Sequence, residues 1–154
     1  MKNKQLRKII SVVITLSIVF MFSLSAYAMN IDVQSRYVHI TGVELVYRAG
    51  SPYYATKIID LTNNSRIPQN AKVTRIELSG NMRSDNNSNF SVIEKGIRSY
   101  DNGKSYFTQQ IFDNVRNLDS NMNVRQKWDI LFAVGNPMRA NNITWTADIT
   151  IYYE

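Results

Sequence analysis

Val124-Arg125-Gln126-Lys127-Trp128-Asp129-Ile130-Leu131-Phe132-Ala133-Val134 and Ile143-Thr144-Trp145-Thr146-Ala147-Asp148-Ile149-Thr150-Ile151-Tyr152-Tyr153 decide the fold of this chain. In the first stretch Val124, Gln126, Trp128, Ile130, Phe132 and Val134 alternate with positions that include Arg125, Lys127 and Asp129. In the second, Ile143, Trp145, Ala147, Ile149, Ile151 and Tyr153 alternate with Thr144, Thr146, Asp148, Thr150 and Tyr152. Neighbouring side chains of a strand point to opposite faces, so each stretch reads as a half-buried strand. Gly135 to Asn142, rich in turn formers, joins them. The reading is an antiparallel pair with Trp128 and Trp145 in one core.

Working outward, Val73, Thr74, Ile76 and Leu78 predict a strand entered through Ile67-Pro68-Gln69-Asn70 and left at Gly80. Tyr37 to Tyr47 predicts a long strand whose inward parity changes at Gly42: Val38 and Ile40 are even, Val43, Leu45 and Tyr47 odd. An extra residue at a glycine bulge does this. Tyr54 to Leu61 is expected to pair back with it across Ala49-Gly50-Ser51-Pro52. Asn102-Gly103 predicts a two-residue hairpin that pairs Asp101 with Lys104 and Arg98 with Phe107. Gln110 to Leu118 has Ile111, Val115 and Leu118 at helical spacing, but Asn114 and Asn117 weaken it, leaving a turn of helix or a loop.

The N-terminus has a different character. Lys2, Lys4, Arg7 and Lys8 precede an apolar run from Ile9 to Leu24, and Ala26-Tyr27-Ala28 follows. Basic start, short apolar stretch and small-x-small ending make a secretion signal. The run is shorter than the ~20 residues a spanning helix needs. Residues 1–28 are read as the signal and 29–154 as one domain, with cleavage between Ala28 and Met29. Four of the 18 basic residues and none of the 12 acidic ones leave with the signal, so the formal charge falls from +6 to +2. The remaining cations are spread singly, without the basic stripe and interleaved aromatics of a nucleic-acid binder. No second apolar run follows that would span a membrane after cleavage. N-terminal sequencing of protein from the culture medium is expected to begin at Met29; recovery of the intact chain in the membrane fraction overturns the signal. A lysine-rich signal and abundant asparagine and isoleucine suggest a Gram-positive bacterium and an extracellular product.

Seven to eight short strands separated by polar turns predict an all-β, antiparallel β-sandwich of jelly-roll type. Ile67-Pro68-Gln69-Asn70-Ala71-Lys72-Val73-Thr74-Arg75-Ile76 resembles the opening of a strand in many secreted bacterial sandwich modules. Trp128-x-Ile130, followed by the run from Trp145 to Tyr153, resembles their last two strands. Jelly-roll modules of the galactose-binding-like and proprotein-convertase P-domain kinds end in a similar way. The resemblance covers about half of residues 29–154, implies the fold, and carries no binding residue across.

With no cysteine and one histidine, the chain lacks a disulfide framework, a thiolate zinc site, a cysteine nucleophile and a histidine cluster. His39 is out of phase with Val38 and Ile40 and is expected to face solvent, away from catalysis. Asp85-x-Asn87-x-Asn89 and Asp119-x-Asn121-x-Asn123 place oxygen side chains at alternate positions, as calcium loops do. Phe90 and Gly96 in the first, and Val124 and Ile130 in the second, stand where an EF-hand needs glycine and glutamate. Asparagine-rich turns also form without a metal. Tyr53, Tyr54, Tyr100 and Tyr106 lie at turns beside asparagines, an arrangement suited to stacking on sugar rings. Tyr100 and Tyr106 are expected on opposite faces of their ribbon, so that one binds and the other packs.

The leading expectation is therefore a secreted, non-enzymatic sandwich that binds at the cell surface or matrix, to glycan or to another extracellular protein. The alternative is an envelope or matrix protein that self-associates through strand edges. A third reading is a secreted toxin or bacteriocin-like factor.

Overall fold

The computed structural model describes residues 29–50, 54–85, 92–108, 113–119, 121–135 and 141–154. Eight strands run β1 (Asn30–Val33), β2 (Tyr37–Tyr47), β3 (Tyr54–Asp60), β4 (Val73–Ser84), β5 (Val92–Ser99), β6 (Ser105–Phe107), β7 (Lys127–Val134) and β8 (Ile143–Tyr153). They form two antiparallel four-stranded sheets, in the orders β1-β2-β8-β4 and β3-β7-β5-β6. The all-β sandwich expected from the alternation is the fold found. Each of the two deciding stretches is a central strand.

The two do not pair, which corrects the expectation. β8 lies between β2 and β4 in the first sheet, and β7 between β3 and β5 in the second. Both carry a large aromatic on the inward face, and the two faces fill one gap from opposite walls. Phe132 meets Trp145 edge to face, with ring centroids 6.0 Å apart, the geometry a ring quadrupole favours. Trp128 and Trp145 are fully buried. Their indole N–H groups donate to the carbonyls of Val124 at 3.1 Å and Ser79 at 3.0 Å. The expected pairing of Tyr37–Tyr47 with Tyr54–Leu61 fails for the same reason: β2 and β3 belong to opposite sheets.

Gly42 is the bulge its parity change required. Its φ is 71°, and the β2–β8 register slips between Ile40 and Val43. Gly80 does not end its strand. β4 continues to Ser84, with Gly80 opposite Ala147. β1, too short to leave a clear pattern, pairs with β2 at the sheet edge.

The Asn102-Gly103 hairpin is two residues looser than expected. Arg98 pairs with Ser105, Ile97 with Tyr106 and Gly96 with Phe107. The chain before the turn is held by β7 and its approach. Tyr100 N–H donates to the Lys127 carbonyl at 3.2 Å, and Asp101 N–H to Gln126 Oε1 at 2.9 Å. Tyr100 to Gly103 therefore make the loop. A shift of two leaves the parity of Tyr106 unchanged.

The exposed sheet edges are blunted. Lys57 sits on β3 in phase with buried Ala55 and Ile59 yet is exposed, the kind of inward-phase charge that discourages strand addition. The β4 edge is covered at Ile76 and Leu78 by residues 113–115, through Val115 N–H to the Ile76 carbonyl at 2.9 Å and Leu78 N–H to the Asp113 carbonyl at 2.7 Å.

Candidate functional site

The β5–β6 hairpin projects Lys104, Tyr106 and Asn102 toward the segment 113–119, which runs along the outer edge of β6. Arg116 N–H donates to the Phe107 carbonyl at 3.0 Å, and Thr108 bridges Val115. At Asn117 the backbone takes a left-handed φ of 54°, a conformation asparagine tolerates better than most residues. The chain then leaves β6 and returns at Asp119. The gap is a groove of about 560 Å³ lined by Lys104, Ser105, Tyr106, Phe107, Thr108, Arg116, Asn117 and Asp119. That volume lies within the ~300–1,000 Å³ typical of small-ligand sites.

Asp119 organises the groove. Its Oδ2 accepts from Lys104 Nζ at 2.8 Å, Tyr106 OH at 3.0 Å and Asn102 Nδ2 at 3.1 Å. Asn102 Nδ2 also donates to the Tyr106 hydroxyl at 2.7 Å, and Asn102 Oδ1 accepts from the Lys104 backbone N–H at 3.0 Å. The hydrogen bonds from Lys104 and then Tyr106 hold the Asp119 carboxyl below the usual aspartate range. The same carboxylate raises Lys104. Burial, then the bond to Asp119, raises the Tyr106 phenol against the lowering effect of Asn102. At neutral pH the groove thus presents a carboxylate, an ammonium and a neutral phenol in one network.

The structure unites Tyr106 and Asp119 and separates the other candidates. Tyr106 is 5% exposed and Tyr100 46%. Tyr54 and Tyr100 both stand on the outer face of the second sheet, Tyr54 opposite Ala133 and Tyr100 beside Lys127. Six residues of strand, about 20 Å, separate those two rows. Tyr53, Asn87, Asn89 and the segment through Ala28 that is expected to be a secretion signal lie outside the described residues; Met29 is exposed.

The described residues of the two asparagine loops are held by hydrogen bonds that need no metal. Asp85 Oδ2 accepts from Asn142 Nδ2 at 2.6 Å. The Asn121 carbonyl accepts from Lys72 Nζ at 3.0 Å, and Asn123 Oδ1 accepts from Arg125 N–H at 2.8 Å. Asp119, Asn121 and Asn123 therefore belong to separate networks, and Asp119 already faces an ammonium. Among the described residues no three His, Cys, Asp or Glu side chains are grouped to hold a metal. His39 is half-buried on the outer face of the first sheet, with Nδ1 2.9 Å from Thr150 Oγ1.

Sequence reasoning missed Lys104, Arg116 and Asn117. Lys104 and Asp119 are separated in sequence and meet just after the left-handed residue Asn117. It also missed a ring cluster on the first sheet. There the Arg75 guanidinium lies 3.9 Å from the Tyr152 ring centroid, and Tyr37 packs beside it at 5.9 Å. A groove of about 580 Å³ adjoins Tyr152. Both of its tyrosines are already engaged: Tyr152 by Arg75 on the ring and by Glu77, which accepts from the hydroxyl at 3.1 Å, and Tyr153 by the Gln34 carbonyl, which accepts from its hydroxyl at 2.6 Å. The hairpin groove is the stronger candidate because a carboxylate, an ammonium, an amide and a phenol meet in one network beside it.

No protein-family model and no curated protein matches the chain.

Proposed function

We propose that the protein is a secreted, non-enzymatic β-sandwich that binds a glycan of the cell surface or matrix in the groove beside the β5–β6 hairpin. The observation that carries this reading is the convergence on Asp119 of Lys104, Tyr106 and Asn102 at the mouth of a groove of about 560 Å³. A sugar offers neighbouring hydroxyls that both donate and accept, together with an apolar ring face. Asp119, Lys104, Arg116 and Asn117 match the hydroxyls, and Phe107 supplies an aromatic wall. The blunted edges of β3 and β4 favour this over assembly through strand edges.

The test is a glycan array and a cell-wall pull-down, read beside thermal melts. Tyr106→Phe keeps the packed ring and removes one hydroxyl. It is expected to weaken binding about 3- to 10-fold, as loss of a single hydrogen bond does. Lys104→Ala should act in the same direction, with the melting temperature held within a few degrees. A parent that retains no glycan or cell-wall fraction overturns the reading. So do variants that bind as the parent does.

A further inference from the structure

The cations of this chain lie singly along the sequence, but the fold gathers several of them at one end. At that end of the first sheet Tyr37 faces Tyr152 and Val73 faces Tyr153. At the same end of the second, Asp60 faces Lys127 and Arg98 faces Ser105. Residues 121–126 cross there from one sheet to the other. Val73 N–H donates to the Met122 carbonyl at 2.9 Å, Val124 N–H to the Ala71 carbonyl at 3.1 Å, and Leu61 N–H to the Gln126 carbonyl at 3.0 Å. Arg36, Arg66, Lys72 and Arg125 all stand in the loops of this end. None of the four belongs to an ion pair among the described residues. The carboxylates beside them are fewer. Asp113 and Asp119 are paired with Lys95 and Lys104, which leaves Asp101 and Glu154.

A continuous line of contacts joins the two grooves across this end. Arg36 lines the groove of about 580 Å³ together with Ser35, Thr74 and Glu154. Its carbonyl accepts from Tyr153 N–H at 2.9 Å, while Lys72 and Glu154 exchange two backbone hydrogen bonds, at 2.9 and 3.1 Å. Arg36 and Lys72 thus flank the end of β8 from either side, two strand spacings or about 10 Å apart. Lys72 Nζ donates to the Asn121 carbonyl at 3.0 Å, and Asn121 is two residues from Asp119 in the hairpin groove. Lys104 stands at that far end of the line. Arg36 is exposed, and its side chain makes no hydrogen bond or ion pair among the described residues. An arginine fork in that condition matches a carboxylate or a phosphate with two parallel bonds.

We infer that the glycan is anionic: a polysaccharide carrying carboxylates or phosphates along its chain, which lies in the hairpin groove and continues past Lys72 to Arg36. This rests on the glycan reading of the hairpin groove and adds a charge and a length to it. A surplus of positive charge at one end draws in and orients a polyanion, and does so less as salt rises. A sugar confined to the hairpin groove does not reach Arg36, whereas a chain of several sugars does. Asp101, Asp119 and Glu154, set among the cations, favour a polymer whose charges are spaced by hydroxyls over the dense phosphates of a nucleic acid.

Titration calorimetry of the folded chain with polygalacturonate, phosphorylated dextran, plain dextran and duplex DNA tests this. One of the two acidic polysaccharides is expected to bind about tenfold or more tighter than plain dextran, and to weaken as salt is raised. Which of them binds separates carboxylate from phosphate recognition. Arg36→Gln removes a charge whose side chain holds nothing in place, so the melting temperature should stay and binding should weaken about 3- to 10-fold. Lys72→Gln keeps an amide donor for the Asn121 carbonyl and should act in the same direction. Glu154→Gln removes a negative charge and should strengthen binding. A short fragment of the bound polymer, filling the hairpin groove alone, should bind the parent and Arg36→Gln alike. Plain dextran bound as tightly as both acidic polymers overturns the inference and leaves the hairpin-groove reading standing. So does acidic-polymer binding that neither Arg36→Gln nor Lys72→Gln moves. DNA bound more tightly than either polysaccharide overturns it in favour of a general polyanion surface. Failure of both acidic polymers to bind overturns it too; a neutral glycan retained on the array would then keep the hairpin-groove reading, and an empty array would remove both.

Discussion

Trp145→Ala is expected to lower the unfolding free energy by about 3–5 kcal/mol, a large part of the ~5–15 kcal/mol that holds a domain together. Three losses combine. The indole is fully buried, and the central position of β8 between β2 and β4 limits collapse into the space it leaves. Its edge contact with Phe132 goes. The Ser79 carbonyl loses its donor. For a domain of this size the melting temperature should fall by roughly 10–20 °C. Trp128→Ala, which frees the Val124 carbonyl on the opposite wall, should behave alike. If both variants melt within a few degrees of the parent, the inward faces of β7 and β8 have been misassigned.

Gly80→Ala should be as damaging, although it adds a single methyl group. Gly80 sits inside β4 at a φ of +108°, and an added Cβ would lie 2.1 Å from the Thr146 carbonyl oxygen and 3.0 Å from Ala147 Cα. Those atoms belong to the backbone of β8, paired on both sides, so they have little room to move. Backbone strain and the clash together should cost about 3 kcal/mol or more. Gly50→Ala separates the two causes. Its φ is +80°, but nothing lies within 4 Å, so only the left-handed penalty, about 1 kcal/mol, should remain. Equal losses in chemical denaturation would show that the contact with β8 is not what constrains Gly80.

Gly80 also shows where the sequence stopped being readable. As a glycine after Val73-Thr74-Arg75-Ile76-Glu77-Leu78, it resembled a strand end. Its true reason, the close approach of β8, lies far along the chain. The faces of β2, β7 and β8 were legible because each side chain carries its own water preference. Their partners were not. Alternation reports which side of a strand is dry, and it reads the same whether the next strand lies beside it or across the core. That is why Trp128 and Trp145 were placed in one core correctly while their strands were paired wrongly. The groove was legible only in part. Tyr106 and Asp119 stood out singly, but they meet just after a turn that Asn117 permits and does not dictate.

The strand order has a kinetic consequence. β2 pairs Tyr37 with Tyr152, across most of the chain, and β4 and β3 find their partners nearly as far away. Only β1–β2 and β5–β6 join sequence neighbours. Topologies dominated by distant pairings fold slowly, on a scale of about milliseconds to seconds, because loop closure must precede the contacts that reward it. The first sheet cannot be completed until β8, the last strand, has left the ribosome. That delay leaves the first sheet without its central strand for as long as the chain is being made.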